Sequence, residues 1–577
     1  MLKEGIPGMS VALVDDSGVL WASGFGTTDE LRRLPVTTHT IFGLQSCSKT
    51  FTATIVLLAV QDRLLDLDLA ITSYLPRFRL RSRFEDEPES RITLRHLLSH
   101  KAGLTHEAPI GNNYEFSIGT SDFDAHIDSI TRTWLRYPVG QRYAYSNLGC
   151  DLAGYILQVA AGMPFGKYAQ HRLFNPLGMD ASSFDLETIA GVDDRALGHD
   201  VFLQAARLPT PLTVPMIPAG GLYASVDNVA KFLIFHLNQG RTEQALLLKP
   251  KYLHEMTTIP FPMTGQTAGY ALGVAVSRRH ETCRCAHGGG GFGFLTDMIW
   301  YPGLKVGIAV LTNSSYHRIQ WNYANQVLDR LIDLPVYHSM IPQANENLGR
   351  AESYKSCAVP TDRLIGLYVG RIPDAIRVLR HAAGLAIAHS PSNKPQPLVF
   401  TSDDQALVNS DGGTIRYRFV KHSLGRPSRL ECLDNGAVFD YNDGPHDRPG
   451  SDKPDWRSYI GTYMAMALGA VPSIMRIRLK NGHMYLKMIN SGVALRLDEH
   501  QAGLFFTSSG EAVEFCGDDL SFAGIIFYRI GFGTELKQWL VLGKGACMLW
   551  RRRVSGHMRL LSRIIIRAFS PFTRCSS

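Results

Sequence analysis

Three short strings hold the reactive side chains of the first 300 residues: Ser46-Cys47-Ser48-Lys49, Tyr145-Ser146-Asn147 and His287-Gly288-Gly289. From Ser46 to Leu65 the apolar residues Phe51, Ile55, Leu58 and Leu65 fall at helical steps with no Gly or Pro between them, which predicts a helix opening at the serine. Residues three apart share a helical face, so Lys49 reaches back beside the Ser46 hydroxyl. A serine hydroxyl is a poor nucleophile at neutral pH. An amine whose proton affinity is lowered by burial and neighbouring charge can take its proton as it attacks a carbonyl. The Ser46 N–H, at the helix start, then points at the developing oxyanion.

Tyr145 follows a Pro138-Val139-Gly140 loop and precedes a helix predicted from about Leu148 to Ala161. A phenol there can pass a proton between Ser46, Lys49 and a leaving group, while Asn147 offers its amide to a substrate or to Lys49. His287 stands at a strand edge and runs into Gly288-Gly289-Gly290-Gly291, ahead of a second strand from Phe294 to Trp300. Four glycines strip the edge of side chains, so that an acyl group can lie against Gly289 and the Gly290 N–H can complete an oxyanion hole. Each residue also has a plainer reading. Ser46 fits a helix N-cap, Lys49 a solvated first turn, Tyr145 a core aromatic and the glycines a loop. His96 and His100 read as satisfied structural histidines. Three strings in this order reverse the balance for Ser46, Lys49 and Tyr145.

With these motifs the chain resembles the penicillin-recognising serine hydrolases, the group of class C β-lactamases, D,D-peptidases and related esterases. The likeness runs over residues 1 to about 335. Gly5 to Ala12 resembles the family's first strand, Ile92 to Leu104 its "LLxHxxGL" segment, and Pro218-Ala219-Gly220-Gly221-Leu222-Tyr223 a turn that lines the cleft. The resemblance implies Ser46 as acylated nucleophile, Lys49 as its base, Tyr145 as second proton carrier, Asn147 as a substrate contact and His287 as the strand-edge residue. One departure bears on substrate. Many β-lactamases and transpeptidases have Lys-Thr-Gly or Lys-Ser-Gly where this chain has His287-Gly288-Gly289, so the cation and hydroxyl that grip a carboxylate are missing. Arg284 would supply a cation, but strand alternation puts it on the opposite face from His287. The expected activity is therefore hydrolysis of small esters or peptide-like amides through acyl-Ser46, esterase- or D-aminopeptidase-like, with β-lactamase activity weak or absent. Acyl transfer from the same intermediate, and a non-catalytic scaffold that keeps the fold, are the alternatives. No metal or organic cofactor is implied.

The elements that must position these residues read as an α+β fold. Residues 1–340 form a β-lactamase/transpeptidase-like catalytic domain: an antiparallel sheet flanked by helices, a helical lobe from about 60 to 215, and a closing helix from about Gln320 to Leu334. Past residue 360 the pattern turns to short alternating runs with hairpin signals at Asp411-Gly412-Gly413, Asn435-Gly436 and Asn481-Gly482. Two segments begin alike, Leu364-Ile365-Gly366-Leu367-Tyr368 and Tyr459-Ile460-Gly461-Thr462-Tyr463, which predicts two related antiparallel β-barrel modules of lipocalin-like size, 360–447 and 456–550. A catalytic domain followed by two such barrels resembles the D-aminopeptidase branch.

At 577 residues the chain is too long for one domain, and 45% hydrophobic with 19% charged residues is ordinary globular composition. The net charge of +7 is accounted for by seven arginines in the basic tail 551–577, which has no acid, so nothing in the body argues for nucleic acid. That tail, with Leu560, Leu561 and Ile564 to Ile566 among its arginines, has the make-up of a weak membrane-surface contact or of an unstructured extension. Nine cysteines without regular spacing suit reduced thiols rather than a disulfide framework, and Cys283-Arg284-Cys285 is too short for the usual zinc pair. Cys47, beside the nucleophile, is a candidate for oxidation or alkylation. No apolar run of 18 residues and no signal-like N-terminus appear, so a cytoplasmic location is expected unless the N-terminus is truncated. The expected partners are a small ester or amide substrate and a second copy in a homodimer.

Overall fold

The computed structural model describes residues 5–29, 34–110, 122–200, 206–207, 217–315, 317–341, 361–370, 375–381, 384–389, 395–410, 413–421, 427–434, 436–442, 454–465, 473–489 and 493–530. The first strands, β1 (Gly8–Asp15) and β2 (Gly18–Gly26), form a hairpin with different faces. β1 is almost wholly buried, and even its Ser10 hydroxyl is satisfied by the Thr37 carbonyl at 3.1 Å. β2, at the sheet edge, leaves Val19, Leu20 and Trp21 exposed. Helix α1 (Ser48–Gln61) is buried on every side, as its apolar composition requires. Its polar residues are satisfied: Thr50 and Thr52 donate to the carbonyls of Gly273 and Pro218 at 2.8 and 2.7 Å. Ser46 itself lies in a 3-10 turn (Gln45–Cys47) ahead of α1, not in the helix. Gln45 bends the chain there with a left-handed φ of 51°.

Helices α2 (Phe123–Ile130), α3 (Asn147–Ala161) and α4 (Val226–Leu237) follow, then strands β3 (Gly269–Tyr270), β4 (Ala275–Arg279), β5 (Thr282–Gly291), β6 (Phe294–Tyr301) and β7 (Val306–Thr312), and helix α5 (Ile319–Ile332). The seven strands form one antiparallel sheet in the order β2-β1-β7-β6-β5-β4-β3. α4 packs against β1 and β7. α5 covers the other face, where Ala324, Leu328 and Ile332 meet Ile299, Ile308 and Val310. The register matters for function. β5 pairs with β4 only as far as Ala286↔Ala275, whereas its pairing with β6 runs on through Gly291↔Phe294. From His287 onward one edge of β5 is therefore left without a strand partner among the described residues.

Two closed eight-stranded antiparallel barrels follow, spanning Gly366–Val369 to Val438–Asn442 and Gly461–Ala465 to Ile525–Arg529. The matching openings serve the same purpose in each. Tyr368 donates to the Leu364 carbonyl at 2.9 Å, and Tyr463 to the Tyr459 carbonyl at 2.8 Å, so each tyrosine ties the first strand to the short helix before it. The tail 551–577 and residues 531–550 of the expected second module lie outside the described residues. No single described helix is long and apolar enough to cross a membrane.

Both barrels dock on the first domain. Asp440 of the first barrel binds Arg142 at 2.6 Å and accepts from Tyr137 at 3.2 Å. Glu511 of the second pairs with Arg136 at 2.8 Å and accepts from Thr105 at 2.8 Å.

Candidate active site

The short turn and the first turn of α1 bring Lys49 onto the serine. Lys49 Nζ stands 3.1 Å from Ser46 Oγ and 2.7 Å from the Ala219 carbonyl oxygen, and 5.0 Å from the centroid of the Tyr145 ring. The lysine is 1% exposed while Ser46 is half-buried, so the amine is enclosed and the serine stays partly accessible. Ala219 belongs to the short helix Ile217–Gly220, which packs between α1 and α3.

Tyr145, just ahead of α3, lies against an aromatic wall. His100 is 4.3 Å from its ring centroid, Tyr270 stands edge-on to it at 6.0 Å, and His100 and Tyr270 are 4.5 Å apart. The Ser146 N–H donates to His100 Nδ1 at 3.2 Å, which fixes the backbone between Tyr145 and Asn147. Tyr270 approaches His287 Nε2 at 2.6 Å, and His287 Nδ1 approaches the Gly288 carbonyl at 2.7 Å. Burial, reinforced by the Lys49 charge, pushes the His287 imidazole down to about 3, so the ring is neutral. A carbonyl only accepts, hence Nδ1 carries the hydrogen and Tyr270 donates to Nε2. Both nitrogens of His287 are thus engaged within the protein. Burial raises the Tyr270 phenol well above its ordinary value, with Tyr145 and Tyr143 adding to it, so it stays a donor.

Asn147 opens α3 and donates from Nδ2 to Glu107 Oε1 at 2.8 Å, and His106 Nδ1 meets the same carboxylate at 2.7 Å. Burial alone would raise the Glu107 carboxyl, but His106 and Asn147 outweigh it and hold the carboxyl below its usual range. Asn147 Oδ1 is buried with no hydrogen-bond partner among the described residues. The carboxylate therefore sets which way the amide faces.

The glycine run differs from the expectation in its reason. Gly288 and Gly290 are exposed, but Gly289 is buried against the nucleophile turn. A Cβ on Gly289 would stand 2.1 Å from the Leu44 carbonyl oxygen and 2.4 Å from Thr296 Oγ1. This glycine serves close approach of two backbones. The structure brings Ser46, Lys49, Tyr145 and His287 to one cleft, with Asn147 beside them and the open edge of β5 along it. Arg284 does lie on the far face, over Trp321 of α5 at 5.1 Å. Cys47 departs from expectation: it is fully buried, donates to the His287 carbonyl at 3.1 Å, and burial raises its thiol far above the ordinary value, so it is not an exposed reactive group. His96 caps its helix with Thr93 and stacks on Phe261 at 4.7 Å. Glu107, Tyr270 and His100 were not singled out as site residues by sequence, because they come from separate segments with no mutual spacing to read.

The fold is that of a mixed sheet-and-helix domain with an enclosed lysine set on a serine beside a bare strand edge. The family model described as Beta-lactamase matches residues 1–328, more than half of the chain, and the chain belongs to that family. Among curated relatives, a D-aminopeptidase of Gluconobacter oxydans is 28% identical over 316 residues, covering 53% of this chain and 56% of that protein. An unguisins hydrolase of Aspergillus campestris is 28% identical over 355 residues, covering 58% and 61%, and Beta-lactamase-like protein 2 of Dictyostelium discoideum is 24% identical over 412, covering 67% and 72%. The chain thus spans little more than half the length of the D-aminopeptidase. Among solved structures, SurE (TM-score 0.53, 21% identity) and the octameric penicillin-binding protein homologue from Pyrococcus abyssi (TM-score 0.51, 22% identity) each cover 76% of this chain, and 96% and 97% of their own. At that identity the likeness bears on the fold alone.

Proposed function

We propose that the protein is a serine hydrolase that forms a covalent acyl-Ser46 intermediate on small esters or peptide-like amides. The observation that carries this reading is the enclosed Lys49 amine, 3.1 Å from Ser46 Oγ with the Tyr145 ring beside it. In the reaction Ser46 Oγ bonds to the substrate carbonyl carbon as its proton passes to Lys49. The N–H groups of Ser46 and Gly290 hold the oxyanion. Collapse of the tetrahedral adduct breaks the bond to the leaving group, which takes the proton by way of Tyr145. Water then attacks the ester of Ser46, and the same groups return the proton to the serine.

Substrate class follows from the third motif. His287 is neutral and both its nitrogens are occupied, so this edge offers no cation to a β-lactam carboxylate. A D-aminopeptidase and an unguisins hydrolase among the relatives support a hydrolytic reading. The test is intact-mass spectrometry after exposure to a fluorophosphonate, beside Ser46→Ala and Lys49→Ala. A single adduct that vanishes without Ser46 and slows about 10²-fold or more without Lys49 is expected; no adduct on folded wild-type protein would favour the scaffold reading.

A further inference from the structure

Behind Lys49 lies a buried pair that the reaction above does not use. His126 on α2 and Asp151 on α3 are 1% and 0% exposed, and His126 Nε2 meets Asp151 Oδ2 at 3.1 Å. The other carboxylate oxygen accepts the Ala219 N–H at 2.9 Å, and the Ala219 carbonyl is the group that holds Lys49 Nζ at 2.7 Å. On its far side, His126 Nδ1 contacts the Ile110 carbonyl oxygen.

Both ring nitrogens of His126 therefore face acceptors. A neutral imidazole has one N–H and would leave a lone pair against an oxygen. The pair is satisfied only with one proton more than a neutral ring and a carboxylate bring. Either the ring is an imidazolium, or Asp151 is an acid that donates to a neutral ring, and the proton belongs to the pair. Burial alone would push His126 down, but Asp151 and the Ile110 carbonyl outweigh it and raise the ring above its ordinary range. Burial likewise raises Asp151, opposed by His126. The charged and titratable groups facing them are Lys49 from α1, Glu107 from the segment before α2, and the Cys150 thiol on α3. The helix Ile217–Gly220 contributes peptide groups only.

We propose that His126 and Asp151 are a proton-holding positioning pair, which sets Lys49 against Ser46 through Ala219 and releases it when the shared proton is lost at high pH. The proposal rests on Ser46 and Lys49 being the working pair. Asp151 anchors one end of the short helix by the Ala219 N–H, so the Ala219 carbonyl keeps a fixed place and takes one Lys49 hydrogen. The rest of the amine is then turned to Ser46 and Tyr145. Once the shared proton is gone, the one remaining N–H, kept on Nδ1 by the close Ile110 carbonyl, leaves lone pairs on Nε2 and Oδ2 opposed at 3.1 Å, the carboxylate swings, and the anchor slackens.

The full-length protein tests this through the second-order rate of Ser46 labelling by a fluorophosphonate from pH 6 to 10, with thermal unfolding as the check on folding. Asp151→Leu removes the anchor and is expected to label about tenfold more slowly at pH 7, the difference closing as wild type declines at alkaline pH. Asp151→Ser serves the same end if the leucine does not fold. Asp151→Asn can accept from Ala219 and donate to a neutral His126, so it should label within about threefold of wild type at pH 7 and lack the alkaline decline of wild type. The His126 ring resonance of wild type should move with that decline and not around its ordinary value of about 6.5. A ring that titrates near 6.5, or an anchor-free variant that labels like wild type at pH 7, overturns the proposal. Wild type that takes no label at all defeats the hydrolase reading itself, and the positioning role with it.

Discussion

Gly289→Ala adds one methyl group where β5 lies against the nucleophile turn, and the structure sets its cost. The new Cβ would stand 2.1 Å from the Leu44 carbonyl oxygen, 2.4 Å from Thr296 Oγ1 and 3.1 Å from Gln45 Cβ. The first two cannot move aside cheaply. The Leu44 carbonyl accepts from Thr296 Oγ1 at 2.9 Å and from the Cys47 N–H at 3.2 Å, and the Leu44 N–H is tied to the Leu222 carbonyl at 2.8 Å. An unstrained carbon–oxygen contact is about 3.3 Å, so turn and strand must part by about 1 Å. Ser46 rides on the turn and the Gly290 N–H on the strand, so the two halves of the proposed oxyanion site separate by that distance. A misplacement of about 1 Å costs about 10²-fold in rate, while overpacking costs about 1–3 kcal/mol of stability. The assay is the second-order rate of Ser46 labelling by a fluorophosphonate, followed by intact mass beside a thermal melt. Gly290→Ala is the comparison: its Cβ meets only the end of the Leu295 side chain, at 3.0 Å, and should change the rate by about threefold or less. A folded Gly289→Ala protein that labels within about threefold of wild type would refute the argument that this glycine holds the site together.

Two further outcomes are expected. Asp297 lies on β6 behind Gly288, and burial pushes its carboxyl up to about 7 against the opposing pull of Arg284 and Gln320. The folded value is above the ordinary 3.8, so its contribution to stability is full below that pH and is lost as pH rises through about 7. Asp297→Asn should therefore raise the melting temperature most at pH 8, by less than half as much at pH 5, and change it little below about pH 4. The gain has a ceiling of about 4 kcal/mol, less what Arg284 loses in counter-charge; equal shifts at pH 8 and below pH 4 would contradict the assignment. Glu511→Ala strips the partner from Arg136, a pair whose side chains are 3% and 4% exposed. Leaving that charge buried should cost about 3–5 kcal/mol in thermal or urea unfolding and slow Ser46 labelling through the Thr105 tether, and unchanged stability would show the pair to be inconsequential.

The meeting of Ser46 and Lys49 in the candidate site was legible because it is local. Lys49 lies three residues from Ser46, and one turn of helix suffices to bring them together. The two barrels were legible for a similar reason: Gly366-Leu367-Tyr368 and Gly461-Thr462-Tyr463 repeat a short device, and hairpin signals punctuate the strands after each. Strand alternation was enough to send Arg284 to the far face. The features that could not be read depend on tertiary approach. Asp151 and His126 sit in ordinary helices, and only the packing of α2 on α3 makes them a pair. His287 looked like a strand-edge residue free to touch a substrate, and it took the position of Tyr270, from a distant two-residue strand, to occupy its second nitrogen. Ser46 was expected at the helix start. It lies instead in a 3-10 turn two residues ahead of α1, after the left-handed Gln45, half-buried while Lys49 stays enclosed.

The barrels also connect to the chemistry through one short segment. Thr105 is held by Glu511 of the second barrel at 2.8 Å. Two residues on, Glu107 takes the Asn147 amide at 2.8 Å, and its own carbonyl lies so near Gly524 that a Cβ there would come within 1.8 Å. At φ +81° Gly524 also adopts a conformation that other residues rarely tolerate, so this turn of the barrel is shaped to seat the irregular segment of the first domain. Four residues, Thr105 to Ala108, thus face the barrel on one side and the second catalytic motif on the other. A buried contact of this closeness has no slack to absorb relative movement. The barrel therefore sets the position of the Glu107 carboxylate, that carboxylate sets the orientation of Asn147, and an irregular segment between helices supports the candidate site.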